Sequence, residues 1–429
     1  MAGRFAVLWL ALIASALLLA ACSVRPDGAA AEQVASATPP SGRSPVAETV
    51  TITYWEEEAD DGDALLDGLA AEFMAAHPLV KVERVHLSYE ELLDKLKQGD
   101  APDLARCASE CAGPLSVSGR FLSASELFDR AFLGRFLPSA VEAATIKGVA
   151  WGIPDNTGNF LMLIYNKRLV QAPPADTEAW IAQLRTLTVA DEDRWGLAYF
   201  LDEPYWLAPW IGGFGGWLVD EAGRPTLDVQ PVVEALRFVR RLRFDEQVTP
   251  PQADYDMALD YFKQGRAAYL IDGDWSLDRL REAGIFFGVA ALPRVSVTGL
   301  APTPLATAKH WFIGKSSATS PAKRVAVRTF IEFMTAARAQ SRWLEKARRL
   351  PSVAEVAAGP KIATDPILVG AMVQLRQSRG LPAAPEMRCV WRAMRPGLEA
   401  VMAGAASPEA ASRTMQADAT ACISAGRFK

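Results

Sequence analysis

Two strand-then-helix repeats beginning near residue 50 restrict the fold of this 429-residue chain more than any other feature. "VTITYW" at 50–55 is rich in β-branched residues, as strands are. "DGDALLDGLAAEFMAAHP" follows, with Leu65, Leu66, Leu69 and Phe73 at helical spacing and Pro78 as a stop. "LVKVERVHL" reads as a second strand. "SYEELLDKLKQGD" reads as a second helix, with Ser88 and Glu91 forming a capping box and Gly99 closing it. This order predicts a parallel sheet with helical crossovers, an α/β lobe.

Further elements follow the same grammar. "GVAWGIP" and "FLMLIYNKRL" read as a strand pair or crossover near 148–169. "DTEAWIAQLRTL" starts a helix at Asp176 or Thr177. "DYDMALDYFKQGRAAYLIDGDW" reads as a helix ending near Gly265, then a strand, then a loop into Trp275. "FFGVAALP" is strand-like. "SPAKRVAVRTFIEFMTAARAQSRWLEKA" predicts one long helix with Ser320 as cap and Pro321 at its first position. Two tail helices, near 386–403 and from Ser407 to about Ser424, are joined by "GAAS" and should lie antiparallel. "GGFGG" at 212–216 precedes no helix that could seat a phosphate, and reads as a turn letting backbone pass close to rings.

The first 48 residues read differently. Arg4 precedes an uncharged apolar run, Phe5 to Ala21, short for a membrane span of about 20 residues and ending in small residues. Residues 1–21 are expected to be a signal peptide. Leu19-Ala20-Ala21-Cys22 resembles the lipobox of bacterial lipoproteins, which implies cleavage before Cys22 and lipidation of its thiol. Residues 22–48 carry no apolar period and read as an anchored, disordered spacer.

Composition excludes some functions. Net charge is −5 and no basic run could track a phosphate backbone, so nucleic acid is not an expected partner. No nucleophile elbow, Walker loop or HExxH motif occurs. The three histidines, His77, His86 and His310, lack ligand spacing, so neither metal nor cofactor is expected. Export favours oxidised thiols. Cys107 and Cys111 could close a small loop. Cys389 begins one tail helix and Cys422 ends the next, so the hairpin brings them to one end and a Cys389–Cys422 disulfide is expected.

The segments "WGIP…LIYNKRL", "YFKQGRAAYLIDGDW", "FGVAALP", "SPAKRVAVRTFIEFMT" and "SPEAASRTMQADA" occur in an order that resembles family 1 extracellular solute-binding proteins, the sugar receptors of ABC importers. The resemblance runs from about Val50 to the tail and is closest to the maltose-binding branch. It implies a two-lobe type II periplasmic-binding-protein-like α/β fold with a hinged cleft. The expected lobes are 49–157 plus 295–335, and 158–294 plus 336–429. It also implies a carbohydrate ligand, ABC permease subunits as partners, a monomer, no catalysis, and attachment to the extracytoplasmic face through the N-terminal lipid.

By this resemblance, aromatic subsites fall at Glu203-Pro204-Tyr205-Trp206, Gly273-Asp274-Trp275 and Cys389-Val390-Trp391. Glu203, Tyr205, Trp275 and Trp391 would face the sugar, with Arg395 one turn after Trp391. Trp206 is a further candidate, although adjacent rings point apart and Tyr205 is the better choice for the cleft. In the first lobe the sequence departs from the pattern. In "PDLARCASEC", Cys107 replaces a ring, Glu110 an acid and Cys111 an arginine. After the first strand stand Glu57 and Ala59-Asp60, where the family pattern has polar residues. Asn156, Thr157 and Asn159 follow "GIP" where the chain first crosses between lobes, as hinge residues, ligand contacts or both; Asn159 is taken as a contact.

These residue types suit a sugar. A pyranose has polar edges and an apolar C–H face, and Trp or Tyr offers a rigid plane at small entropy cost. Burying about 60 Å² of sugar face at ~25 cal/mol/Å² gives roughly 1.5 kcal/mol per ring. A micromolar Kd needs about 8 kcal/mol, so carboxylates such as Glu57, Asp60, Glu110 and Glu203 must bind hydroxyls. "EEEADDGD" at 56–63 would in most proteins be a solvated turn; its place after the first strand, where α/β folds bind ligands, raises it. The rival readings are a secreted glycoside hydrolase, and the same fold binding a polyamine or other solute.

Overall fold

The computed structural model describes residues 49–58 and 61–427. The expectations for residues 1–48, Cys22 included, and for Asp60 lie outside the described residues. The described residues form two large sheets, each with its own buried core, and a small two-stranded ribbon of Thr145–Ile146 and Val149–Ala150. In the first, Val50–Glu56 pairs in parallel with Val80–His86 and Leu104–Ala108. Leu305–Gly314 then inserts antiparallel between Leu104–Ala108 and Gly152–Gly158. Short strands at Phe121–Leu122, Leu350–Pro351 and Arg379–Gly380 extend this sheet to eight. The second sheet runs Phe287–Ala290, Leu161–Asn166, Ala267–Gly273, Trp195–Ala198. The crossover is brief: Gly152–Gly158 ends in the first sheet and Leu161 starts a strand of the second.

Local signals largely hold. The helix Tyr89–Gln98 carries the Ser88–Glu91 capping box and closes at Gly99. The tail forms helices Met387–Met402 and Pro408–Ser424, packed together and joined by Cys389–Cys422 with Cα atoms 5.6 Å apart. One expectation fails. The single helix expected from Ser320 breaks into Pro321–Met334 and Ala337–Lys346. Thr335 bonds its hydroxyl back to the Ile331 carbonyl at 2.7 Å, and Ala336 is extended, so the backbone leaves the helix there. The stretch "LDEPYWLAPWIGGFGG" begins as a helix, Pro204–Gly213, capped by the Glu203 side chain and with Pro209 inside it, and turns at Phe214 and Gly215. Its glycines admit the returning chain, since a Cβ on Gly212 would lie 2.4 Å from Cβ of Thr303.

The expected lobe boundaries at 295 and 336 also shift. Val295 sits in the second lobe's core, and the Thr303 N–H donates to the Pro209 carbonyl at 2.9 Å, so the chain stays with that lobe until Leu305. Ala337–Lys346 packs on Asp61–Ala76, with Trp343 in the first lobe's core. Neither shift is encoded locally, because each depends on which distant surface an amphipathic segment covers.

Candidate functional site

The acidic run after the first strand divides three ways. Glu56 is buried against Arg84 at 2.8 Å. Glu58 is buried against Arg106 at 2.7 Å. Glu57, between them, turns the other way: its Oε1 accepts from the Ala108 N–H at 2.8 Å and from Lys309 Nζ at 2.7 Å. Ala108 ends the third strand and Lys309 lies in Leu305–Gly314, so three strands converge on one carboxylate.

Glu110 follows on the loop closed by Cys107 and Cys111, whose Cα atoms are 6.4 Å apart. Solvent reaches it, yet protein crowds it enough that desolvation pushes its carboxyl up; Glu57 adds to that and Lys309 opposes it. An accessible yet crowded side chain is what a wall of the groove between the lobes requires. Tyr205 and Asp274 of the second lobe share this character. Burial raises the Tyr205 phenol well above its usual value, and the negative charges of Asp274 and Glu110 raise it further. Glu110 and Tyr205, from different lobes, therefore share one electrostatic environment.

Across the groove the rings cluster. Tyr205 lies 5.8 Å from Trp206 and 6.3 Å from Trp275, centroid to centroid, and Trp206 lies 6.1 Å from Trp275. Trp275 is the exposed member, at 36%. Tyr255 orients its indole by accepting the Nε1–H at 3.0 Å. Gly273 is obligatory beneath it, because a Cβ there would lie 2.1 Å from the indole ring. Trp206 corrects an expectation: it is buried and its Nε1 donates to the Ile271 carbonyl at 2.9 Å. It backs the platform edge-on rather than facing the groove, because adjacent residues at a helix start point apart. Trp391 is half-buried on the second lobe's core and, among the described residues, makes no ring contact with that trio. Its link runs through Arg395, one turn on, which pairs with Glu203 at 2.6 Å.

Asn159 marks the crossing between lobes, with its backbone in the left-handed region at φ 55°. Its N–H donates to Asp274 Oδ1 at 2.8 Å, and its carbonyl accepts from the Tyr205 hydroxyl. Both contacts use its backbone, so it reads as a hinge element more than a ligand contact. Burial pushes the Asp274 carboxyl up to about 6, against the hydrogen bonds from Asn159 and Phe160. Asn156 and Thr157 are buried in the crossover strand.

Sequence reading passed over Asp274, Lys309 and Tyr255. Lys309 had a signal, as a lone full charge in the mostly apolar strand "LATAKHWFIG". Asp274 stood inside a quoted motif, overshadowed by its indole neighbour. Among the described residues, Glu56, Asp63 and His86 bring potential metal donors within 4.8 Å. Arg84 already occupies that cluster, paired with Glu56, Asp63 and Asp67, and a guanidinium does not deprotonate to make way.

Residues 68–370 match the family model described as bacterial extracellular solute-binding protein. The chain belongs to that family. The maltotriose-binding protein of Pyrococcus abyssi (strain GE5 / Orsay) is 26% identical to this solute-binding protein over 362 residues, covering 82% of this chain and 77% of the relative. The maltooligosaccharide ABC transporter solute-binding lipoprotein of Streptococcus pneumoniae (strain ATCC BAA-255 / R6) is 24% identical, covering 70% and 72%. Among solved structures, the maltose/maltodextrin-binding domain MalE from Bdellovibrio bacteriovorus bound to maltotriose aligns with TM-score 0.67 and 28% identity, covering 87% of this chain and all of that one. A cyclo/maltodextrin-binding protein complexed with maltotetraose aligns with TM-score 0.79 at 22% identity, covering 88% and 98%, which speaks to the fold. The two-lobe type II α/β fold is thus the family's own.

Proposed function

We propose that this solute-binding protein captures a maltose- or maltodextrin-like saccharide between its lobes and delivers it to the permease of an ABC importer. One observation carries the reading: an exposed indole and a tyrosine pack together on the second lobe, and that tyrosine lies within electrostatic reach of Glu110 on the first. The rings stack against the sugar's C–H face, while Glu57 and Glu110 accept its hydroxyls, at about 1.5–3 kcal/mol for each charge-assisted bond. Neither set suffices alone, so ligand favours the closed hinge, and the closed form is what the permease receives.

Trp275→Ala and Tyr205→Ala should each weaken maltotriose binding by about 1.5–3 kcal/mol while the melting temperature of the unliganded protein stays near wild type. Calorimetric titration with maltose, maltotriose, maltotetraose and spermidine checks this. Unchanged affinity in both variants, or spermidine as the preferred ligand, refutes the reading; release of reducing ends during the titration would favour a hydrolase. The names of two curated relatives support the substrate class, and the polar contacts particular to this chain set the preferred length.

The mature protein acts as a monomer tethered at the extracytoplasmic face through lipidated Cys22. The lipobox-like Leu19-Ala20-Ala21-Cys22 supports this, as does the relative described as a lipoprotein. Intact mass of the membrane-extracted protein should begin at Cys22 and carry acyl chains, and a mass fitting an unmodified N-terminus elsewhere would refute it.

A further inference from the structure

We propose that the Cys107–Cys111 bridge is a positioning device for Glu110, holding that carboxylate at a fixed height in the groove so that a ligand hydroxyl meets it without prior ordering. This rests on the solute-binding reading above and adds a division of labour that the reading does not require.

The argument begins with what the bridge encloses. Between the two cysteines lie Ala108, Ser109 and Glu110. Cys107 and Cys111 are fully buried, and Cys107 sits opposite His310 in the strand register. Ser109 is buried too. Its hydroxyl accepts from the Ala308 N–H at 2.9 Å and donates to the Ala308 carbonyl at 3.0 Å. The Ala108 N–H is held by Glu57. Every residue of the small ring is thus pinned to the sheet except Glu110, the one exposed member.

Left to electrostatics, Glu110 would swing away. Glu57 is a like charge close enough to disfavour its ionised form, and desolvation acts the same way. A flexible loop relieves both by moving the carboxylate to open water. A loop crosslinked across four residues has little freedom to do so. The ordering cost is then met on folding rather than on binding, which is how preorganisation raises affinity. A purely stabilising role fits less well. The chain-entropy gain of a crosslink grows with the loop closed, and this is the shorter of the two bridges, with a separation of 4 against 33.

The test is a double-mutant cycle between the bridge and the carboxylate. C107A/C111A, E110Q and the triple variant are titrated with maltotriose at pH 7.5, and thermal unfolding of each shows that it is folded. C107A/C111A should bind about tenfold more weakly than wild type, and adding it to E110Q should cost less than about twofold, because the bridge acts through Glu110. Equal losses on both backgrounds would mean a general loosening and would overturn the proposal, as would no loss in C107A/C111A. Should that variant fail to fold, E110D keeps the bridge and shortens the side chain by one methylene. Held backbone cannot follow the change, so E110D should lose at least about fivefold; wild-type affinity in E110D overturns the proposal. Wild-type protein that binds no maltooligosaccharide would instead refute the solute-binding reading, and this inference with it.

Discussion

Replacing Arg106 with methionine should destabilise the protein by about 3–5 kcal/mol, read as a large drop in the denaturant midpoint at neutral pH. Arg106 is completely buried, with Nη1 2.7 Å from Glu58 Oε2 and Nε 2.6 Å from Asp155 Oδ2. Its guanidinium also lies 4.6 Å from the Trp343 ring centroid and 5.9 Å from that of Trp311. Burial alone would raise the Glu58 carboxyl, but the guanidinium overrides it and holds that group below its usual value. Methionine fills much of the volume and supplies no charge, so two carboxylates are left in a dry interior. The triple variant Arg106→Met, Glu58→Gln, Asp155→Asn should recover part of the loss, because the stranded charges go with it. A loss under about 1 kcal/mol in the single variant would show that Arg106 does not compensate those acids. Maltotriose affinity should fall as well, since Glu57 is the next residue along from Glu58.

The second large effect concerns the tail. Cys389→Ser/Cys422→Ser should lower stability by about 3–4 kcal/mol, the chain-entropy value for a loop of this length. The bridge ties Met387–Met402 to Pro408–Ser424, and that pair packs on Gln230–Arg240 in the second lobe. Unfolding of oxidised wild type and the double variant in guanidinium measures the difference, and two or more free thiols per denatured wild-type chain would refute the formation of both bridges. Ligand affinity should fall less than stability, since the helix bearing Trp391 and Arg395 also rests on the buried Val390, Met394 and Leu398.

What the sequence disclosed follows from the range of the forces involved. The capping box at Ser88 and Glu91, the stop at Gly99 and the cysteine hairpin are decided within a few residues or by one short connection, and each appears where the pattern placed it. Ring placement was half legible. Tyr205 and Trp275 meet and Trp206 turns away, as adjacent rings at a helix start do, but the carbonyl that holds its indole, on the distant residue Ile271, had no local signal. The acidic run at 56–58 was least legible. Each glutamate has its own cation, Arg84, Lys309 or Arg106, supplied by other strands. No periodicity announces such pairs, because they depend on sheet register. The helix break at Thr335 and the shifted lobe boundaries fail for the same reason, tertiary contact overriding a locally plausible continuation.

The strand Leu305–Gly314 has a consequence for how the chain is made. It lies between Leu104–Ala108 and Gly152–Gly158, yet it leaves the ribosome after all four strands of the other sheet. The sheet that begins the polypeptide therefore cannot close until every strand of the other sheet has been made. Until residue 314 emerges, Leu104–Ala108 keeps an open edge and Gly152–Gly158 has no partner strand, so this sheet stays unfinished for most of the chain's synthesis.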